Sequence, residues 1–428
     1  MYIRTVLPNG LRILTCAMPH IRSATLCFYI AAGSRTEPAE RAGVAHFLEH
    51  MLFKGTARFP TARHISEAIE GVGGVLDAQT SPEVTAYWAK VPADHFPRAL
   101  ELLTDMVRAP LLEPCEIEKE RQVIVEELHM VTDSPADWVA ELLGEALWPG
   151  HPLGRDVAGT EETVRSISRQ DLEAYRVAHY SPDRLVVVVA GALPATQVEE
   201  AVAAALGDLS AAPQSIPDTP PPAVTAPRLL LRYRECEQAH LSLGIPALSY
   251  RHPDRYALLL LDTILGAGMS SRLFLAIREE RALAYNVYSA LRQFVDCGAE
   301  TIYAGVAPER AEECLAAVWE ELERLAAEGV PEEELERAKE YSKGRILLRM
   351  EDSYGVASWY GVQETLLQRI EEVDEVIAHI EAVQPADLQR LAASLFRRNT
   401  LCLAAVGPFQ DDAPFRRALG IESLIVEG

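Results

Sequence analysis

Six prolines fall within the seventeen residues Ala211–Pro227 (AAPQSIPDTPPPAVTAP), close to the middle of a 428-residue chain. Proline fixes φ and removes a backbone donor, so such a run forms neither a helix interior nor a sheet interior. It is expected to act as a semi-rigid, extended spacer. The chain then reads as a first domain over residues 1–210, a linker over residues 211–227 and a second domain over residues 228–428. The two sides resemble each other. Ile167–Gly191 (ISRQDLEAYRVAHYSPDRLVVVVAG) and Val383–Gly407 (VQPADLQRLAASLFRRNTLCLAAVG) align without a gap at an offset of 383 − 167 = 216 residues. They match at Asp171/Asp387, Leu172/Leu388, Leu185/Leu401 and Gly191/Gly407. Each reads as a helix with an acidic first turn, a short turn and an apolar strand ending at glycine. A second pair, LEPCEIEKER (Leu112–Arg121) and VPEEELERAK (Val330–Lys339), repeats the similarity. The chain is therefore expected to be a duplicated α+β unit.

Bulk composition narrows the function. Lys plus Arg is 40 and Asp plus Glu is 63, so the net charge is 40 − 63 = −23. That sign argues against a nucleic-acid partner and against adsorption to anionic lipid. The seven cysteines are odd in number, widely spaced and without a CxxC pair, the pattern of free thiols in a reducing compartment. The N-terminal stretch MYIRTVLPNGLRILTCAMP lacks the apolar core of a secretory signal. The longest apolar run, Leu185–Leu193, is about half of a membrane span. A cytoplasmic protein with no membrane segment is expected.

In the first half, strands are expected at Leu11–Thr15, Ser23–Ala31 and Ala86–Val91, with helices at Arg41–Phe53, Thr61–Val72, Ala93–Arg108 and Glu116–Met130. In the second, strands are expected at Arg228–Tyr233, Ala239–Gly244, Ala284–Gln293 and Ala299–Val306. Helices are expected there at Pro253–Leu265, Met269–Glu280, Pro308–Glu328 and Glu332–Met350.

The sharpest chemical signal is His46-Phe47-Leu48-Glu49-His50. A helix advances about 100° per residue, so His46 and His50 lie about 40° apart and one turn distant. Both imidazoles can then address one ion, with Glu49 on the same side. Two imidazoles and a carboxylate suit a zinc-like ion with an open position, and the order matches the inverzincin signature H-x-x-E-H. Two histidines on a half-buried helix would show the same spacing without any metal. A third ligand is required, usually a carboxylate. In EIEKERQVIVEELHM (Glu116–Met130), Glu120 and Glu127 are seven apart and share a face to within about 20°, while Glu126 points about 100° away.

Three ordered segments carry a family resemblance: GVAHFLEHMLFKGT (Gly43–Thr56), GGVLDAQTSPEVTAYWAKV (Gly73–Val91) and EKERQVIVEEL (Glu118–Leu128). Together they resemble the pitrilysin–insulysin clan of zinc peptidases, in particular its short bacterial members akin to the β subunit of mitochondrial processing peptidase. The resemblance covers nearly the whole chain. It implies one Zn2+ per chain held by His46, His50 and Glu127, the ligand being the seventh residue after the first helix glutamate rather than Glu126. It implies Glu49 as the general base and Glu120 as a carboxylate supporting a histidine ligand. The implied fold is two homologous α+β halves, each a mixed or antiparallel sheet with helices packed on one face, forming half of a clamshell chamber. The implied activity is zinc-dependent hydrolysis of peptides or extended protein segments. A chain of this length would need a homodimer or a related heterodimeric partner to close the chamber. A catalytic subunit that works only with a noncatalytic partner, and a noncatalytic assembly or binding relative, are the alternatives.

The second half cannot hold the same ion. Aligning Gly55 with Gly266 places Ala257, Leu260 and Leu261 opposite His46, Glu49 and His50, and the later helix pair places Arg345 opposite Glu127. Instead RLFLAIREERALAYNVYS (Arg272–Ser289) resembles the family's substrate-side motif, an arginine followed seven residues later by tyrosine. Arg278 would grip a peptide carbonyl or carboxylate, and Tyr285 would donate to an oxyanion. The strand after Gly73-Gly74 carries Asp77-Ala78 where the family usually has asparagine before alanine. That strand is implied to bind peptide at a sheet edge. An ionised aspartate cannot donate a hydrogen bond, so Asp77 either shifts preference toward basic residues or faces solvent.

Overall fold

The computed structural model describes residues 2–210, 220–421 and 425–427. The first nine residues of the proline-rich spacer lie outside them, and residues 220–227 carry no helix or strand. The described residues form two compact units. One comprises residues 2–128, 156–210 and 347–372; the other comprises residues 129–155, 220–346, 373–421 and 425–427.

The first unit holds a six-stranded sheet of β1 (Ile3–Val6), β2 (Arg12–Ala17), β3 (Ser23–Ile30), β4 (Val75–Thr80), β5 (Thr85–Pro92) and β6 (Leu185–Gly191). Its order is β1-β2-β6-β3-β5-β4, antiparallel except for the β2/β6 pair. The second unit holds β7 (Arg228–Tyr233), β8 (Ala239–Ala247), β9 (Ala284–Gln293), β10 (Gly298–Val306), β11 (Cys402–Gly407) and β12 (Ile425–Glu427). Its order is β12-β7-β11-β8-β10-β9, with β12/β7 and β7/β11 parallel. From β2 and β7 to the opposite edge the two sheets share one topology. The shared offset extends to the pairing: Arg12 opposes Val186, and Arg228 opposes Cys402 (228 − 12 = 216; 402 − 186 = 216). The mixed sheets of the expected duplicated α+β fold are thus present in both units. Only the added edge strand differs, antiparallel for β1 and parallel for β12.

Successive strand residues point to opposite faces, and in the first unit both faces are buried. Ala24, Leu26, Phe28 and Ile30 of β3 enter a core with the helices Val44–Leu52, Ala62–Glu70, Phe96–Arg108 and Ala195–Leu206. Cys27 and Tyr29 face the other way, onto Val356, Ala357 and Tyr360 of the helix Ser353–Leu367. The helical layer expected on one face is the main one, but the opposite face is also covered. Its covering helix comes from beyond the linker. The second unit does the converse: helix Pro135–Leu147, from before the linker, packs on β7, β8 and β11.

The fit of Ser353–Leu367 to its sheet is close. A Cβ on Gly361 would lie 2.2 Å from the Tyr29 ring, so only glycine permits the approach. Thr25 and Ser353 hydroxyls bond at 2.8 Å. The buried Glu364 carboxylate accepts two bonds from Arg4, at 3.1 and 3.0 Å, and one from Arg12 at 3.4 Å. One expected helix differs: the stretch from Met269 to Glu280 becomes a wide, π-type turn over Phe274–Glu280. Such widened turns recur where a side chain is re-aimed, and this one carries Arg278. Among the described residues no helix is long and apolar enough to cross a membrane.

Candidate metal centre

The helix Val44–Leu52 buries Val44, Ala45, Phe47, Leu48, Met51 and Leu52, and leaves His46, Glu49 and His50 half-buried along one side. Its start is fixed from two directions. Gly43 has φ +92°, and a Cβ there would lie 2.3 Å from the Ala158 carbonyl oxygen. The buried carboxylate of Glu37 accepts from the N–H groups of Gly43 (2.8 Å) and Ala45 (2.7 Å). These are donors that a helix N-terminus leaves without an internal partner. The histidines are therefore mounted on a capped, core-anchored turn.

Both imidazoles turn Nε2 inward, 3.1 Å apart, with ring centroids 4.4 Å apart. The long helix Pro114–Asp133 brings the third group. It buries Ile117, Glu120, Arg121, Ile124 and Val125, a stripe with the helical repeat. Arg121 locks that stripe down, with its guanidinium over the Phe47 ring and Nη2 on the Ile167 carbonyl at 2.9 Å. Glu127 then sits one turn beyond the stripe, with Oε2 at 3.6 Å from His50 Nε2 and 4.0 Å from His46 Nε2. Glu126 is exposed.

Glu120 lies on the far side of His50. Its Oε1 is 2.9 Å from His50 Nδ1, and its Oε2 is 2.5 Å from Lys54 Nζ. Because Nδ1 serves Glu120, the His50 Nε2 lone pair is free to face His46 and Glu127. Glu49 is not among the converging atoms; its Oε2 accepts a short hydrogen bond from the Thr80 hydroxyl. The electrostatics separate the groups. Burial, and next the neighbouring His50, pull the His46 imidazole down to about 4, so it is neutral. Burial also lowers His50, but its bond to Glu120 and the Glu127 and Glu49 carboxylates outweigh that and raise it. Burial raises the Glu49 carboxyl against the Thr80 hydrogen bond.

The donor set can be tested against zinc. Tetrahedral ligands at about 2.1 Å from an ion stand roughly 3.4 Å from one another. The three separations of 3.1, 3.6 and 4.0 Å bracket that value. The three atoms lie within reach of one point, and His46 Nδ1 is buried without a partner. The residues fit a divalent ion with two imidazoles and one carboxylate.

The remaining candidates are placed as follows. Asp77 and Ala78 lie on β4, an edge strand of the first sheet, with Asp77 exposed and its Oδ1 accepting from the Ala78 N–H at 2.8 Å. Arg278 and Tyr285 are together in the second unit. The Arg278 guanidinium lies 4.6 Å over the Tyr285 ring, and its Nη1 donates to the Tyr285 carbonyl at 3.1 Å. The Tyr285 side chain is 76% exposed. Ala257, Leu260 and Leu261, aligned with the metal-motif positions, are buried in the core. Three partners of the site were not singled out from the sequence: Glu37, Lys54 and Thr80. Lys54 had a signal, being four residues after His50; Glu37 and Thr80 had none.

The chain is similar to known proteins along most of its length. A family described as "Insulinase (Peptidase family M16)" matches residues 12–161, and one described as "Peptidase M16 inactive domain" matches residues 166–341. A Bacillus subtilis protein named as an uncharacterized zinc protease is 37% identical over 408 residues, covering 95% of this chain and 98% of its own. The probable β subunit of the mitochondrial-processing peptidase of Arabidopsis thaliana is 32% identical, over 95% of this chain and 78% of its own. Among solved structures, a protease from Helicobacter pylori superposes with a TM-score of 0.89 at 23% identity, covering 95% of this chain and 99% of its own. That likeness establishes the fold.

Proposed function

Since this chain belongs to peptidase family M16, we propose that it is a zinc-dependent endopeptidase that hydrolyses peptides or extended protein segments within a closed chamber. The observation that carries the reading is the convergence of His46, His50 and Glu127 on one point, with Glu49 beside them and outside the ligand set.

Bound zinc would supply a more acidic water and polarise the scissile carbonyl. His46 and His50, both presenting Nε2, and Glu127 would hold it. Glu49 takes the proton of the attacking water and delivers it to the leaving amine. Its burial lifts the carboxyl toward the range where accepting and returning a proton are both easy. Thr80 fixes one Glu49 oxygen, leaving the other for the water. Peptide adds to the β4 edge at Asp77 and Ala78 as a further strand. Arg278 and Tyr285 belong to the substrate side, Arg278 gripping a carbonyl or carboxylate and Tyr285 donating to the oxyanion. No covalent enzyme intermediate forms.

The working form is a homodimer, or a heterodimer with a related chain. The name of the Arabidopsis relative, a subunit, supports a partner. The match of residues 166–341 to a domain described as inactive supports confining the metal to the first half. Seven cysteines, odd in number and without a CxxC pair, support a cytoplasmic, reducing setting. The test is metal analysis of the full-length chain of measured mass, with mass spectrometry of products from a peptide library. About one zinc per chain and internal cleavages are expected. Metal-free protein that binds peptides without cutting them would favour a noncatalytic binding protein. Cutting only after a related chain is added would favour the heterodimer.

A further inference from the structure

We propose that Lys54 is a positioning residue of the metal centre, acting on His50 through Glu120. The inference rests on reading His50 as a ligand, and it adds a member that neither the motif nor the family description assigns. Glu120 divides its two oxygens, Oε1 to His50 Nδ1 at 2.9 Å and Oε2 to Lys54 Nζ at 2.5 Å. The Glu120 side chain is only 6% exposed, so water does little to hold the second oxygen. Without a partner there, the carboxylate could swing about its last torsion, a broad and soft one. The Lys54 ammonium removes that freedom. Oε1 then stays on Nδ1, the ring keeps its orientation, and a ring proton held at Nδ1 leaves Nε2 to face His46 and Glu127.

The placement of Lys54 follows from the helix that carries both histidines. His46, His50 and Lys54 are spaced by four, and the helix ends at Leu52, so Lys54 stands just past its C-terminus. A cation is favoured there by the helix dipole. The half without metal residues lacks both members of the pair. The Gly55/Gly266 alignment (266 − 55 = 211) sets Leu265 opposite Lys54, and the Glu127/Arg345 alignment (345 − 127 = 218) sets Ala338 opposite Glu120. Both are buried apolar residues. Charge pair and metal ligands are thus found in the same half and absent together from the other.

The experiment measures zinc dissociation constants of the full-length chain by competition with a chelator of known affinity. Lys54→Met keeps the aliphatic stem and removes the ammonium; it is expected to weaken zinc binding about 10-fold or more, the scale for a partner behind a ligand. Lys54→Arg should recover most of the affinity. Glu120→Gln should weaken binding, and adding Lys54→Met to it should cost little more, since Lys54 acts through that carboxylate. A merely structural lysine would lower thermal stability without this coupling. Wild-type affinity in Lys54→Met, or fully additive losses in the double variant, overturns the proposal. Absence of zinc binding by the unaltered chain overturns the ligand assignment itself, a result separable from the other two.

Discussion

Replacing Glu49 by Gln separates chemistry from metal binding. The amide has the shape of the carboxylate and an oxygen that can still accept the Thr80 hydroxyl, so fold and local packing should persist. Glu49 contributes no atom to the group formed by His46, His50 and Glu127, so zinc should be retained at the wild-type level. What disappears is the ability to accept a proton. General-base contributions of 10² to 10⁴ correspond to about 2.7–5.4 kcal/mol in the barrier, at about 1.36 kcal/mol per decade. A loss within that range is expected, because the half-buried Glu49 is the carboxylate left outside the ligand set and the amide has no site for the proton. The assay is the initial rate of product formation from one cleaved library peptide, with zinc measured on the same sample. Turnover within a few fold of wild type, at full zinc occupancy, would refute Glu49 as the base. Loss of zinc in parallel with activity would refute its separation from the ligand set.

Glu127→Gln should strip most bound zinc while Glu126→Gln leaves it unchanged, because only Glu127 Oε2 lies within 4.0 Å of both imidazole nitrogens; equal losses would reject the third ligand. Tyr285→Phe should lower kcat more than it changes KM, and Arg278→Ala should impair both, since an oxyanion donor acts in the transition state and an arginine grip also acts in binding; normal kinetics in both would reject their substrate role. Glu364→Ala leaves the buried Arg12 guanidinium its backbone carbonyls but removes its carboxylate, and should destabilise the first unit by about 3 kcal/mol in urea unfolding; a loss under about 1 kcal/mol would show that the ion cluster does not hold the helix Ser353–Leu367. In the second unit the buried Glu300 lies against the Asp262 carboxyl and the Ser289 hydroxyl, and the two carboxyls can partner each other only with a proton between them. Burial, then Asp262, raise Glu300 well above its ordinary 4.5, so the native state keeps a proton that the unfolded chain releases. Stability is then full below about pH 4.5 and falls as pH rises toward the folded value. Glu300→Gln should therefore gain on wild type between pH 5 and pH 8, and a pH-independent difference in urea midpoints would contradict this.

Local periodicity made much of the molecule legible from the sequence. The strands Arg228–Tyr233 and Ala284–Gln293 are found with the expected bounds, because apolar runs between turn residues leave a short segment few alternatives. The four-residue spacing of His46 and His50 settles their shared face through helix geometry alone, and so does the seven-residue spacing of Glu120 and Glu127. The offset of 216 residues in the sequence repeat is also the offset between the paired strands of the two sheets. What the sequence could not decide depends on partners far along the chain. Nothing in the apolar pattern of Ser353–Leu367 or Pro135–Leu147 says which sheet will bury it, since either helix would satisfy its hydrophobic side on either sheet. Tertiary packing decides, through the Gly361 approach to Tyr29 and the Glu364 cluster with Arg4 and Arg12. The ring nitrogen that His50 turns inward is likewise fixed by Glu120, 70 residues away, and the Glu49 oxygen by Thr80, 31 away. Helical spacing sets which residues share a face; only the assembled fold sets which atoms meet there, because hydrogen-bond partners are chosen by distance in space and carry no period along the chain.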